Sequence, residues 1–205
     1  MQSKAHWEEV YRSHSAEEVS WFQERSVFSL RLIQTVCGTK DAFVIDIGGG
    51  ASTLTGDLIE EGFQNITVLD ISSVALSVAQ RRLGIIGSAR VNWIEADITS
   101  VNLLESHYDV WHDRAVFHFL TDAKDRASYV DKVRTSVKPG GHVIVSTFGA
   151  DGPMNCSGLE VERYSPDKLH SEFGSPFELL EHSQETHLTP FGTEQKFIYC
   201  LCLKK

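Results

Sequence analysis

The chain has 205 residues, of which 41% are hydrophobic and 23% charged, a balance suited to one domain with one sizeable core. Its net charge is −9 and it carries no Lys/Arg block, which argues against duplex nucleic acid or an anionic membrane as a partner. The apolar runs are too short to span a bilayer, and the polar opening MQSKAHWEEVYRSHSAEE lacks a secretory apolar core. The four cysteines, Cys37, Cys156, Cys200 and Cys202, form no C-x-x-C pair. They read as buried thiols in a reducing compartment, so the expected location is cytoplasmic and no metal site is expected.

The first 40 residues, with Trp7, Tyr11, Trp21 and Phe22, read as a helical cap packed over the ligand-binding edge of a core over 41–205. Ala42–Ile47 is a nearly continuous apolar run, as a strand covered on both faces would be. Ser52–Glu61 has helical spacing through Leu54, Leu58 and Ile59, and Gly62 stops it. Ile66–Leu69 is a second strand ending at Asp70. Ser72 or Ser73 caps a helix that Gly84 closes. Arg90–Glu95 and Tyr108–His112 are the third and fourth strands. Asp122–Val137 is an amphipathic helix ended by Pro139-Gly140-Gly141, and His142–Phe148 is a fifth strand. Ser165–Phe173 is a short helix with Pro166 at its first position. Phe177–Leu188 and Gln195–Leu203 read as a terminal hairpin.

Alternating strands and helices predict a single α/β domain. Its sheet is doubly wound, seven-stranded and mostly parallel, with an antiparallel C-terminal hairpin. In such sheets ligands sit beyond the carboxyl ends of the strands. There the sequence places Gly48-Gly49-Gly50, then Asp70, then Asp97. Glycines allow close approach of the backbone to a ligand, and a carboxylate after the second strand can accept from ribose hydroxyls. A dinucleotide fingerprint requires a third spaced glycine, but Thr53 stands there instead. Asp46, just before the turn, suits a cationic ligand better than a pyrophosphate.

With Val44-Ile45-Asp46-Ile47-Gly48-Gly49-Gly50, Val68-Leu69-Asp70-Ile71-Ser72, Ala96-Asp97-Ile98 and Val137-Lys138-Pro139-Gly140-Gly141, the chain resembles the class I S-adenosylmethionine-dependent methyltransferases along nearly its whole length. The resemblance implies S-adenosyl-L-methionine as cofactor. Asp46, Gly48, Gly49 and Gly50 would hold the methionine part, Asp70 the ribose, and Ile71, Asp97 and Ile98 the adenine, with Tyr11 and Trp21 closing over them. The acceptor side reads Tyr108-Asp109-Val110-Trp111-His112-Asp113-Arg114-Ala115-Val116-Phe117-His118-Phe119. Asp113 and Arg114 are expected to orient an acceptor, and His112 or His118 to take a proton. The Trp-x-x-Asp-Arg character here, with Gly152-Pro153, is similar to thiopurine methyltransferases, which implies a small-molecule acceptor such as a thiol or another soft nucleophile. Trp7, Tyr11 and Val19-Ser20-Trp21-Phe22 resemble the opening of seven-strand protein lysine methyltransferases, which makes a protein lysine the alternative acceptor. A module that binds the cofactor without catalysis is the alternative of another class. The expected state is a monomer or weak homodimer.

Overall fold

The computed structural model describes residues 3–205. Two helices come first, α1 (Lys4–Ser13) and α2 (Val27–Val36), with a 3-10 turn at Ala16–Glu18 between them. Then follow β1 (Phe43–Ile47), α3 (Leu54–Glu60), β2 (Asn65–Asp70), α4 (Ser73–Ser88), β3 (Val91–Glu95) and β4 (Tyr108–Arg114). After a 3-10 turn at Phe117–Phe119 come α5 (Ala123–Ser136), β5 (Val137–Phe148), and a small hairpin of β6 (Asn155–Cys156) and β7 (Leu159–Glu160). The chain ends with α6 (Pro166–Phe173), β8 (Phe177–Leu188) and β9 (Glu194–Lys204).

The main sheet has seven strands in the order β3-β2-β1-β4-β5-β9-β8. The first five pair in parallel, and β9 pairs antiparallel to both β5 and β8. This is the fold class expected from the alternation of elements. Strand side chains alternate between two cores. Ile45, Ile47, Val143, Val145, Cys200 and Cys202 join one core, and Val44, Ile144, Tyr199 and Leu201 the other. Burial on both faces explains why β1 reads as a nearly continuous apolar run. All four cysteines are free thiols, and Cys156, Cys200 and Cys202 are buried. No described helix is long and apolar enough to cross a membrane.

Three expected boundaries shift. Helix α4 does not end at Gly84. That residue takes φ 68° and ψ 180°, and a further helical turn follows, leaving Ile85 and Ile86 exposed. Only glycine adopts that backbone freely, so the chain kinks and resumes. Strand pairing on β5 begins already at Val137, opposite Tyr108, before the Pro139-Gly140-Gly141 irregularity. Strand β4 runs on through Asp113 and Arg114, which were expected in a loop.

That extension matters because it buries Asp113 completely. Its carboxylate accepts from Val116 N–H at 2.8 Å, Phe117 N–H at 3.1 Å and the Tyr129 hydroxyl at 2.6 Å. The Tyr129 hydroxyl in turn accepts from Trp111 Nε1 at 2.8 Å. Burial pushes the Asp113 carboxyl up to about 6, against the pull of its donors. Tyr129→Phe should therefore leave a buried carboxylate short of one donor and a buried indole N–H without an acceptor. We expect a loss of about 2–3 kcal/mol in urea unfolding, with the m-value unchanged. An unaltered midpoint would show that the tyrosine does not anchor this turn.

Candidate functional site

The carboxyl ends of β1, β2, β3 and β4 surround a cleft of about 870 Å³. It is lined by Trp7, Tyr11, Trp21, Gly48, Asp70, Ile71, Asp97, Ile98, Arg114 and Cys156, among others. A second cavity of about 540 Å³ is lined by Asp46, Gly48, Gly49, Thr53, His112 and Arg114, and also by Ser26 and Ser29 of the N-terminal segment. Tyr11, Trp21, Ile47, Gly48 and Arg114 line both, so the two form one bent site.

The glycine turn is shaped by contact. Gly48 has φ 68°, and a Cβ there would run into Val116 Cγ2. A Cβ on Gly49 would strike the Asp46 carboxylate, and one on Gly50 would lie 2.6 Å from Asp70 Oδ2. The turn therefore packs backbone directly onto the two acids. Gly50 N–H donates to Asp70 Oδ2 at 3.0 Å, and Ser72 N–H donates to Oδ1 at 2.8 Å. Each oxygen keeps a lone pair for another donor. Burial raises the Asp70 carboxyl to about 6 despite these bonds, and the nearby Asp46 adds to the rise. Asp97 uses Oδ1 for the backbone and hydroxyl of Thr99, at 2.8 and 2.7 Å.

Asp46 and His112 face each other across the β1–β4 pair, both buried, with His112 Nδ1 2.7 Å from Asp46 Oδ1. Among the described residues, Asp46 Oδ2 and His112 Nε2 have no hydrogen-bond partner. Arg114 lies two residues further along β4 on the same face. Its Nε donates to the Tyr199 hydroxyl at 3.1 Å and to Glu185 Oε2 at 3.3 Å, and NH1 donates to Trp21 O at 3.2 Å. The next residue, Ala115, has φ 74°, an uncommon conformation for a residue with a Cβ. His118 is fully buried between the rings of Phe119 and Phe148. Burial pushes it down to about 3, helped by Arg114, so it stays neutral. Its Nδ1 accepts from Phe148 N–H at 3.3 Å, which occupies its one basic lone pair.

The N-terminal segment roofs the cleft. Trp7 meets Trp21 edge-on at 5.9 Å and Phe119 at 5.1 Å, and Tyr11 meets Trp21 at 6.3 Å. Glu8 fastens α1 to the start of α4, accepting from Ser73 N–H at 2.8 Å and the Ser73 hydroxyl at 3.0 Å. A carboxylate is favoured at that helix end. Beyond α1, Ser20 O lies 2.8 Å from His187 Nε2, and Gln23 Nε2 donates to Glu185 at 2.7 Å.

The structure thus gathers Tyr11, Trp21, Gly48, Asp70, Ile71, Asp97, Ile98 and Arg114 on the main cleft, and Asp46, Gly49 and His112 on its extension. Gly50 supports Asp70 from behind. Asp113 and His118 line neither cavity. Sequence reasoning missed Trp7, Val116, Thr99 and Leu120 as lining residues. It also missed Glu8, Glu185, His187 and Tyr199 as the groups that pin the roof. Trp7 was visible as an aromatic in a polar helix; the others carry no local signal. Cys156 reaches the cleft because Ser157 and Gly158 both take positive φ and turn β6 back on β7. Its thiol is pushed up to about 11 by burial. Among the described residues no group of three or more His, Cys, Asp or Glu is placed to hold a metal ion.

The site's chemistry fits a nucleoside carrying an amino acid. Asp70 offers free lone pairs where a ribose would lie, and Asp46 Oδ2 is a buried acceptor with no donor. Comparisons with known proteins agree. Residues 44–141 match the methyltransferase domain family. Human EEF1A lysine methyltransferase 2 is 25% identical over 192 residues, covering 87% of this chain and 75% of that protein. The ubiquinone biosynthesis O-methyltransferase of Cronobacter sakazakii is 30% identical over 151 residues, covering 71% of this chain and 60% of that enzyme. A solved SAM-dependent methyltransferase from Anabaena variabilis superposes with a TM-score of 0.75 at 14% identity, covering 100% of this chain and 96% of that one. The strand order, the glycine turn set against buried acids and these matches together show an S-adenosylmethionine-dependent methyltransferase with the class I, seven-stranded fold.

Proposed function

We propose that this methyltransferase acts on a small-molecule acceptor, a thiol or another soft nucleophile, at the aromatic end of the cleft. The observation that carries this is the roof: Trp7, Tyr11 and Trp21 lie over the cleft beside Cys156, and polar contacts tie their segment to α4 and β8. A small soft nucleophile fits beneath such a roof. When bound, the cofactor supplies a methyl group on a sulfonium, open to in-line displacement.

The chain's own groups then have these roles. Asp70 accepts from the ribose hydroxyls, and Ile71, Asp97 and Ile98 flank the base. The turn Gly48-Gly49-Gly50 lets backbone approach the methionine part, and Asp46 takes its ammonium. Tyr11 and Trp21 exclude water and offer ring faces to positive charge. Exclusion of water and alignment supply most of the rate. A thiol has an ordinary pKa of about 8.5, so it needs little help to lose its proton. His112, oriented by Asp46, lines the second cavity and not the aromatic end of the cleft. Asp113 and His118 act by positioning: Asp113 holds the turn after β4, and His118 fills the space between two phenylalanines.

A second reading, a protein lysine as acceptor, is favoured by the likeness to human EEF1A lysine methyltransferase 2. Label from methyl-labelled cofactor separates the two. We expect it in small thiols or selenols from a panel that also holds amines and carboxylic acids. Label found only on lysines of lysate proteins would establish the second reading instead.

The role of Asp70 has its own test. Asp70→Asn should weaken S-adenosylhomocysteine binding about a hundredfold in calorimetry, by removing charge-assisted bonds to two hydroxyls. The wild-type carboxyl titrates at about 6, above its ordinary 3.8, and only the ionised form accepts both hydroxyls. Affinity should therefore be level above that pH and fall about tenfold per unit below it. The variant should lack this slope. Equal affinities for wild type and variant would remove Asp70 from the binding site.

A further inference from the structure

Arg114 has a free end. Its side chain is only 10% exposed, yet NH2 is buried with no hydrogen-bond partner among the described residues. Native proteins rarely leave such donors unsatisfied, because each costs free energy when buried. The other end is well held. Nε and NH1 reach Glu185, Tyr199 and Trp21 O, and the guanidinium stacks over Phe197 at 4.2 Å. Glu185 meets it from the side, through Nε, and also accepts from Tyr199 at 2.9 Å and Gln23 at 2.7 Å. The guanidinium is therefore fixed in place without its fork being filled.

The surroundings give the ligand's charge. Of the residues lining the two cavities, Arg114 alone is a permanent cation, against the acids Asp46, Asp70, Asp97 and Asp125. Arg114 and Asp46 lie on the same face of adjacent strands, and both line the second cavity. That cavity is thus lined by two residues that each carry one unpaired buried polar atom, Asp46 Oδ2 and Arg114 NH2.

We propose that Asp46 and Arg114 form a two-point clamp for a zwitterion, in which Arg114 NH2 donates to the α-carboxylate of the cofactor's amino-acid end. This deepens the cofactor placement proposed above and rests on it. It also assigns Arg114 to the cofactor, where the sequence suggested the acceptor. The guanidinium suits the task because its planar fork matches a carboxylate and its charge persists at every working pH.

Three ligands test the clamp by calorimetry. These are S-adenosylhomocysteine; its decarboxylated analogue, which keeps the amine; and 5′-deoxy-5′-methylthioadenosine, which lacks the amino-acid part. Wild type should prefer S-adenosylhomocysteine over the decarboxylated analogue by about 30-fold, as a charge-assisted bond implies. Arg114→Gln should shrink that ratio to about threefold or less while leaving methylthioadenosine affinity within about twofold. Glu185→Gln removes the side-on competitor and should preserve or raise the ratio. If Arg114→Gln does not fold, the double variant with Glu185→Gln removes both charges together and is read in the same way. A ratio unchanged in the Arg114 variant overturns the clamp and returns Arg114 to the acceptor. A fall in the ratio for Glu185→Gln alone also overturns it. Failure of the wild type to bind any of the three would instead overturn the cofactor placement.

Discussion

Three buried carboxylates organise this molecule, and each is tolerated only because donors meet it. Asp46 has His112, Asp70 has Gly50 and Ser72, and Asp113 has Val116, Phe117 and Tyr129. A carboxylate taken from water without donors costs several kcal/mol, so these bonds are conditions of folding as much as features of a site. Because most of the donors are backbone N–H groups, the acids dictate the path of the chain after β1, β2 and β4. The glycine turn follows from the same constraint, since a Cβ on Gly49 or Gly50 would occupy the space of an acid.

The same acids separate into two kinds. Asp113 is surrounded by donors and lines neither cavity. Asp46 and Asp70 line the site and retain acceptor capacity that the chain does not use. Spare hydrogen-bonding capacity in a buried group marks a place where something else completes the structure. Arg114 NH2 is the cationic counterpart of Asp46 Oδ2, and both lie in the same cavity.

The roof is fastened differently from the core. It rests on aromatic edges, and polar contacts between distant parts of the chain hold it: Glu8 with Ser73, Ser20 with His187, Gln23 with Glu185, and Trp21 O with Arg114. Such contacts are individually modest.

The sequence by itself determined the sheet, the carboxyl ends of β1, β2 and β3 and the cofactor class. Those depend on local periodicity and on short motifs at fixed spacing, such as Asp46 through Gly50 and Asp70. It also pointed to Tyr11 and Trp21. It did not separate Asp113 from Arg114, which are neighbours in one motif. The pleat of β4 sends Asp113 into one core toward Tyr129, and Arg114 to the opposite face with His112, toward Tyr199 and Phe197. Nor did it reveal Glu8, Glu185 or His187. Their partners are 65, 71 and 167 residues away, and only the folded sheet brings them together. Long-range pairing of this kind leaves no trace in local sequence, so the fastenings of the roof and the free end of Arg114 were decided by tertiary structure alone.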